Sequence, residues 1–187
     1  MSLQVTTPPT AEPITLDEVK ARLRLTTSND DTTILQQITA AREYAEKLTG
    51  LSLAAKSYLQ TMDRFPHPYD PIRLMRPPLL SVTSVTYLDC TLTSQTWDPS
   101  EYYVAANNVP ALIVPKPGIV YPDTGRVPGA VAVAFLTGAD CPEMLKEGIR
   151  QLTVHIYEHP DAVTSEGLKE APLALTAFFN SKKVYSF

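Results

Sequence analysis

TTILQQITAAREYAEKLT, residues 32–49, is the stretch whose reading decides the fold. Its apolar residues Ile34, Leu35, Ile38, Ala41, Tyr44, Ala45 and Leu48 recur at helical spacing and predict a helix with one apolar stripe. Asn29, Asp30 and Asp31 stand just upstream, where side-chain oxygens cap free amides and negative charge suits the helix dipole. Gly50 comes next as a left-handed stop. Arg42/Glu46 and Glu43/Lys47 are spaced as surface ion pairs on the opposite face, each worth about 0.2–0.5 kcal/mol. Such a helix is unstable alone, so something must cover its stripe.

Working outward, Thr15 and Glu18 form a capping-box pattern that opens a short helix through about Arg24, with Leu16, Val19 and Leu23 on its apolar edge. Before it, Pro8, Pro9 and Pro13 break any helix, and residues 1–14 read as a flexible arm. Past Gly50 the pattern changes. Eleven of the seventeen prolines fall between Pro66 and Pro128, and apolar residues begin to alternate. Strands are expected over 57–63, 72–75, 82–88, 102–105, 111–114 and 130–136, short and mostly antiparallel because of the prolines. From Pro142 the helical period returns, with Met144, Leu145, Ile149, Leu152 and Ile156 on one side. Gly148 in mid-helix implies the close approach of a neighbour. Pro160 ends this helix, residues 161–171 read as a polar loop, and Pro172 opens a last helix carrying Leu173, Leu175, Phe178 and Phe179.

The expected class is therefore α+β: about four helices in a small bundle, with a proline-rich, mostly antiparallel β region inserted between the second and third. The domain reading is an arm over 1–14, a helical core from 15–56 plus 141–180, a β insertion over 57–140, and a tail over 181–187. The 142–159 helix is the economical cover for the 32–49 stripe.

Composition narrows the function. Net charge is −4, from 16 basic and 20 acidic residues, and the only basic cluster is Lys182–Lys183, so a phosphate-gripping groove is not expected. Two cysteines, Cys90 and Cys141, are too few for a disulfide framework and read as reduced thiols. No apolar run reaches the roughly 18 residues that span a membrane, so no membrane role is expected and the chain is placed in a reducing cytoplasm.

Few patterns suggest chemistry. His155-Ile-Tyr-Glu158-His159 fits H-x-x-E-H, which puts two imidazoles and a carboxylate on one helix face, as zinc hydrolases do. Against a zinc site stand Pro160, which frays the last turn, and the loop position of Glu166 and Glu170, the available third ligands. Histidines at a helix C-terminus also suit the dipole without any metal. Cys141 precedes a helix start, where a thiol can become acidic, but no imidazole is placed beside it. Trp97, Tyr102 and Tyr103 fit either a stacking platform for sugars or bases, or the core of a small sheet. There is no nucleophile elbow, and the seven glycines form no phosphate loop. No enzyme, catalytic residue, metal or cofactor is expected.

The order of the motifs carries a family resemblance. Glu12-Pro-Ile-Thr-Leu-Asp-Glu-Val-Lys-Ala-Arg-Leu-Arg-Leu25 comes first, then Asp30-Asp31 and the helix through Ala40-Ala-Arg-Glu-Tyr-Ala-Glu46 to Gly50. Arg76-Pro-Pro-Leu-Leu-Ser-Val-Thr-Ser-Val-Thr-Tyr87 is third, and last is a helix ending His155-Ile-Tyr-Glu-His159. Over residues 12–179 this series resembles the head–tail connector (adaptor) proteins of tailed bacteriophages and prophages, in their longer form with a β insertion. The family's last motif often reads Trp/Tyr-Tyr-Glu-Asn-Arg, and His159-Pro160 departs from it. The resemblance implies a structural virion protein, assembled head to tail as a ring of about a dozen copies. It implies a place beneath the portal at the head–tail junction after assembly in the host bacterial cytoplasm. A stopper or tail-completion protein would be a further partner, and double-stranded DNA would pass through the channel without sequence-specific binding. It also implies that the C-terminal tail docks on the portal, which would involve Lys182, Lys183, Val184, Tyr185 and Phe187.

Overall fold

The structure is a computed structural model that describes residues 1–68, 70–138, 141–159, 163–164, 167–168 and 173–184. Among the described residues, four α-helices and a set of antiparallel strands are distributed over two units. One contains the described residues of 10–54 and 141–184, the other those of 1–9 and 55–138.

The first unit is helical. α1 (Leu16–Leu23) begins with the capping box in place: Glu18 N–H donates to Thr15 Oγ1, and Thr15 N–H donates to the Glu18 carboxylate. α2 (Asp31–Thr49) ends at Gly50, whose φ of 75° allows its N–H to reach Glu46 O. α3 (Glu143–Glu158) presents Leu145, Gly148, Ile149, Leu152 and Ile156 to the interior, where they meet Ile34, Ile38, Ala41 and Ala45 of α2. Each of the large aliphatic residues buried there contributes about 1.5–3 kcal/mol. α4 (Leu173–Ser181) adds Phe179 to this core. A Cβ on Gly148 would meet the Phe178 ring at 2.9 Å and the Phe179 ring at 3.0 Å, so the neighbour that needs this glycine is α4.

The second unit holds two sheets. The five-stranded sheet runs β1-β2-β8-β4-β5, with β1 (Ser2–Thr7), β2 (Lys56–Met62), β8 (Val131–Thr137), β4 (Leu79–Leu88) and β5 (Ser94–Thr96). The three-stranded sheet runs β3-β7-β6, with β3 (Ile72–Leu74), β7 (Ala111–Pro115) and β6 (Tyr102–Ala105). All of these pairs are antiparallel. β2 and β8 are buried at every second residue, as period-2 chain requires. Gln60 ties the two sheets together: its Nε2 donates to Arg73 O at 2.8 Å and its Oε1 accepts from Met75 N–H at 3.0 Å. β4 is longer than the prolines suggest, because Pro77–Pro78 precede the strand and its register shifts twice against β8.

Several expectations need correction. The arm expected over 1–14 is partly structured: Ser2–Thr7 pairs with β2, and Ile14 is buried in the helical core. Pro8 and Pro9 end the strand and do not prevent it, since they come after it. The expected polar loop contains a two-residue pair, β9 (Val163–Thr164) with β10 (Gly167–Leu168). Leu35 and Met144, assigned to the apolar stripes, are exposed. Asp30 and Asp31 do not cap α2 with their side chains. Asp30 instead accepts from the Tyr157 hydroxyl at 2.9 Å, joining α2 to α3, and Asp31 accepts from Lys20 at 2.7 Å. Arg42 and Glu46 are not a surface pair: they are 1% and 6% exposed. Among the described residues, no helix is long and apolar enough to cross a membrane.

Candidate functional site

Among the described residues, the sequence-derived chemical candidates do not assemble into a reactive centre. His155 and His159 lie one turn apart on α3 with ring centroids at 4.7 Å and planes 28° apart. Nitrogen lone pairs lie in the ring plane, so rings stacked face to face do not aim two nitrogens at one ion. Nδ1 of His159 lies instead 3.2 Å from His155 O. Glu166 and Glu170, considered as third ligands, lie outside the described residues. Among the described residues, no group of three or more His, Cys, Asp or Glu is placed to hold a metal.

Cys141 is buried, and that burial pushes its thiol up to about 11, the opposite of activation. Trp97 is 2% exposed and stands inside an aromatic cluster with Phe65, Tyr102 and Tyr121 at 5.7, 4.7 and 5.3 Å. It is core, not a platform. Tyr102 is buried with it, while Tyr103 points outward with Lys116 Nζ 5.2 Å from its ring centroid.

At the C-terminal end, Lys182 and Lys183 are exposed and close α4, their N–H groups donating to Phe179 O and Asn180 O. Val184 N–H donates to Thr49 O at 2.7 Å, and Val184 O lies 3.2 Å from where a Cβ on Gly50 would be. Val184 is thus pinned against the C-terminal end of α2. Tyr185 and Phe187 lie outside the described residues.

Two open grooves correspond to no motif in the sequence. One of about 740 Å³ runs between α3 and α4, with Met144, Gly148, Leu175 and Phe178 in its apolar lining and Glu143 and Glu147 among its polar residues. Gly148 is the residue that could have revealed it, because a glycine that admits a second helix also leaves a shallow floor. The other, of about 800 Å³, lies in the sheet unit between residues 63–68 and 121–128 and includes Arg64, Pro66, Tyr121 and Arg126. Its walls are loops brought together from opposite ends of the sheet unit's chain, an arrangement that leaves no local signal.

The described residues form two folded units with open grooves and exposed apolar side chains. Residues 13–75 match the family described as phage gp6-like head-tail connector protein. That segment contains α1, α2, β2 and β3. The fold of the whole chain is shared with a chain in the virion of the native gene transfer agent (GTA) particle. There the TM-score is 0.78 and identity 17%, covering 100% of this chain and 97% of that one. The neck of the empty GTA particle computed with C6 symmetry gives 0.76 at 18% identity, with the same coverage. The neck of the native particle computed with C12 symmetry gives 0.75 at 16%, again with the same coverage. No curated protein matches the sequence. At these identities the structural likeness speaks for the fold: the connector-like segment and the strands after it belong to one architecture found entire in neck structures.

Proposed function

We propose that this protein is a head–tail connector: a structural subunit that forms a closed ring beneath the portal of a phage-like particle and carries no reaction. The observation that carries this reading is the likeness of the whole chain to a chain in neck structures solved with C12 and C6 symmetry. The family match over residues 13–75 supports it independently. In this reading the strands β2–β8 are an insertion into a connector-type helical core, between α2 and α3, and β1 joins their sheet from before α1. About a dozen copies join head to tail. The ring meets the portal above and a stopper or tail-completion protein below, after assembly in the host cytoplasm.

The physical chemistry fits a passive conduit. Residues 10–54 and 140–185 hold fourteen acidic and ten basic side chains, and the rest of the chain holds six of each, so the whole net charge of −4 falls on the helical unit's segments. A ring of such subunits repels a DNA duplex more than it grips one, which lets the duplex pass.

Mixing the protein with its cognate portal tests the reading. The mixture is expected to sediment as a complex far larger than either component, and persistent separate sedimentation overturns the proposal. The tail has its own test. Lys182, Lys183, Val184, Tyr185 and Phe187 are proposed as the portal-docking segment. Deleting residues 182–187 is expected to leave the helical circular dichroism unchanged and to weaken portal co-sedimentation at least about tenfold, the effect of about 1.4 kcal/mol. Undiminished docking would remove the tail from the interface.

A further inference from the structure

We propose that β1 is exchanged between neighbouring copies: residues 2–7 of one chain fill the place beside β2 of the next. This rests on the proposed ring and names how adjacent subunits are joined.

Four observations carry it. First, β1 is held by its backbone ladder and little else. Its side chains are exposed except that of Leu3, which alone packs partly against the core. The ladder is indifferent to which copy supplies the strand, so the place beside β2 accepts an identical strand in trans equally well. Second, the strand and the segment after it belong to different units. β1 lies in the sheet unit, whereas Glu12 and Ile14 are already fixed in the helical unit, Glu12 by Arg42 at 2.7 Å and Ile14 by burial. Third, the connector between them is short. Only residues 8–11 separate the two anchored segments, and Pro8 and Pro9 remove two amide donors from it. Short hinges invite exchange between copies. Fourth, β1 is the edge of its sheet, with β2 its one strand partner among the described residues. Residues 1–9 carry no charged side chain, so β1 has none of the charges that keep edge strands from pairing between molecules. In a head-to-tail ring every copy gives one strand and receives one, so exchange closes with the ring and leaves no vacant site.

The ladder supplies the test. Ser2 lies opposite Thr61, and their hydroxyl oxygens are 2.6 Å apart, so cysteines at these positions can form a disulfide. Two variants are made in a background where exposed Cys90 is replaced by serine, one with Ser2→Cys and the other with Thr61→Cys. They are mixed in equal amounts, assembled at high concentration with portal, oxidised, and run on a non-reducing gel. Exchange predicts that about half the chains become disulfide-linked dimers of one variant with the other, because each donor has an even chance of meeting the opposite variant. Rings without such dimers, together with an intrachain bond in the double variant Ser2→Cys/Thr61→Cys, overturn exchange and leave the ring reading standing. A mixture that forms no ring and no linked dimer overturns both.

Discussion

Replacing Arg42 with alanine is expected to cost about 3–5 kcal/mol of stability, read as a lower urea midpoint at unchanged m-value. The guanidinium is 1% exposed in the helical unit. Its Nε donates to Glu12 Oε2 at 2.7 Å, its Nη2 to Glu12 Oε1 at 3.3 Å, and its Nη1 to Glu46 Oε2 at 3.0 Å. Burial alone would lower its pKa, but the bond to Glu12 and the charges of Glu12, Glu46 and Glu43 outweigh burial, and the group is held above its ordinary value. Removing it takes from Glu46, 6% exposed, a cation bonded directly to its carboxylate. Glu46 also accepts from Leu53 N–H at 2.9 Å. Arg42 therefore fastens two places far apart in sequence, the approach to α1 and the exit from α2. Glu46→Gln keeps the acceptor for Leu53 and removes the charge, so its cost is expected to be clearly smaller than that of Arg42→Ala. Equal costs for the two would show that the bonds to Glu12 are not what makes Arg42 the centre of this cluster.

The second large effect is in the sheet unit. Trp97→Ala is expected to cost about 3–5 kcal/mol, as the removal of a large buried aromatic does. Trp97 fills the space between Phe65, Tyr102 and Tyr121, and its loss opens a cavity among those rings. Its buried indole N–H has no hydrogen-bond partner among the described residues, so Trp97→Phe loses volume but no bond and is expected to cost far less. Trp97 is the only tryptophan, so its emission reports directly on the sheet core and is expected to be blue-shifted. A neutral Trp97→Ala, or emission already at the wavelength of exposed indole, would contradict its place in the core.

The helical unit is largely legible in the sequence because its signals are local. Thr15 with Glu18, Gly50 as a stop and the periodic Ile34, Ile38 and Leu152 each act within a turn or two of chain. The parts that escape a sequence reading depend on partners distant along the chain. Arg42 and Glu46 have the spacing of an exposed pair, and only Glu12, thirty residues upstream, shows why they are inside. Asp30 has the look of a cap, but its partner Tyr157 stands 127 residues away. β1 is hidden by the prolines behind it, since an edge strand with one partly buried side chain leaves almost no hydrophobic alternation to read. The candidate chemistry fails for a related reason. H-x-x-E-H specifies spacing along a helix but not ring orientation, and it is the stacking of His155 on His159 that decides the matter.

Cryo-electron microscopy of the neck of the particle encoded with this chain tests the central claim most directly. The account predicts a closed ring of copies directly below the portal, each with a helical unit and a two-sheet unit, around a channel wide enough for a DNA duplex. A neck built without this chain, or the chain present there as isolated copies that do not touch one another, would contradict it.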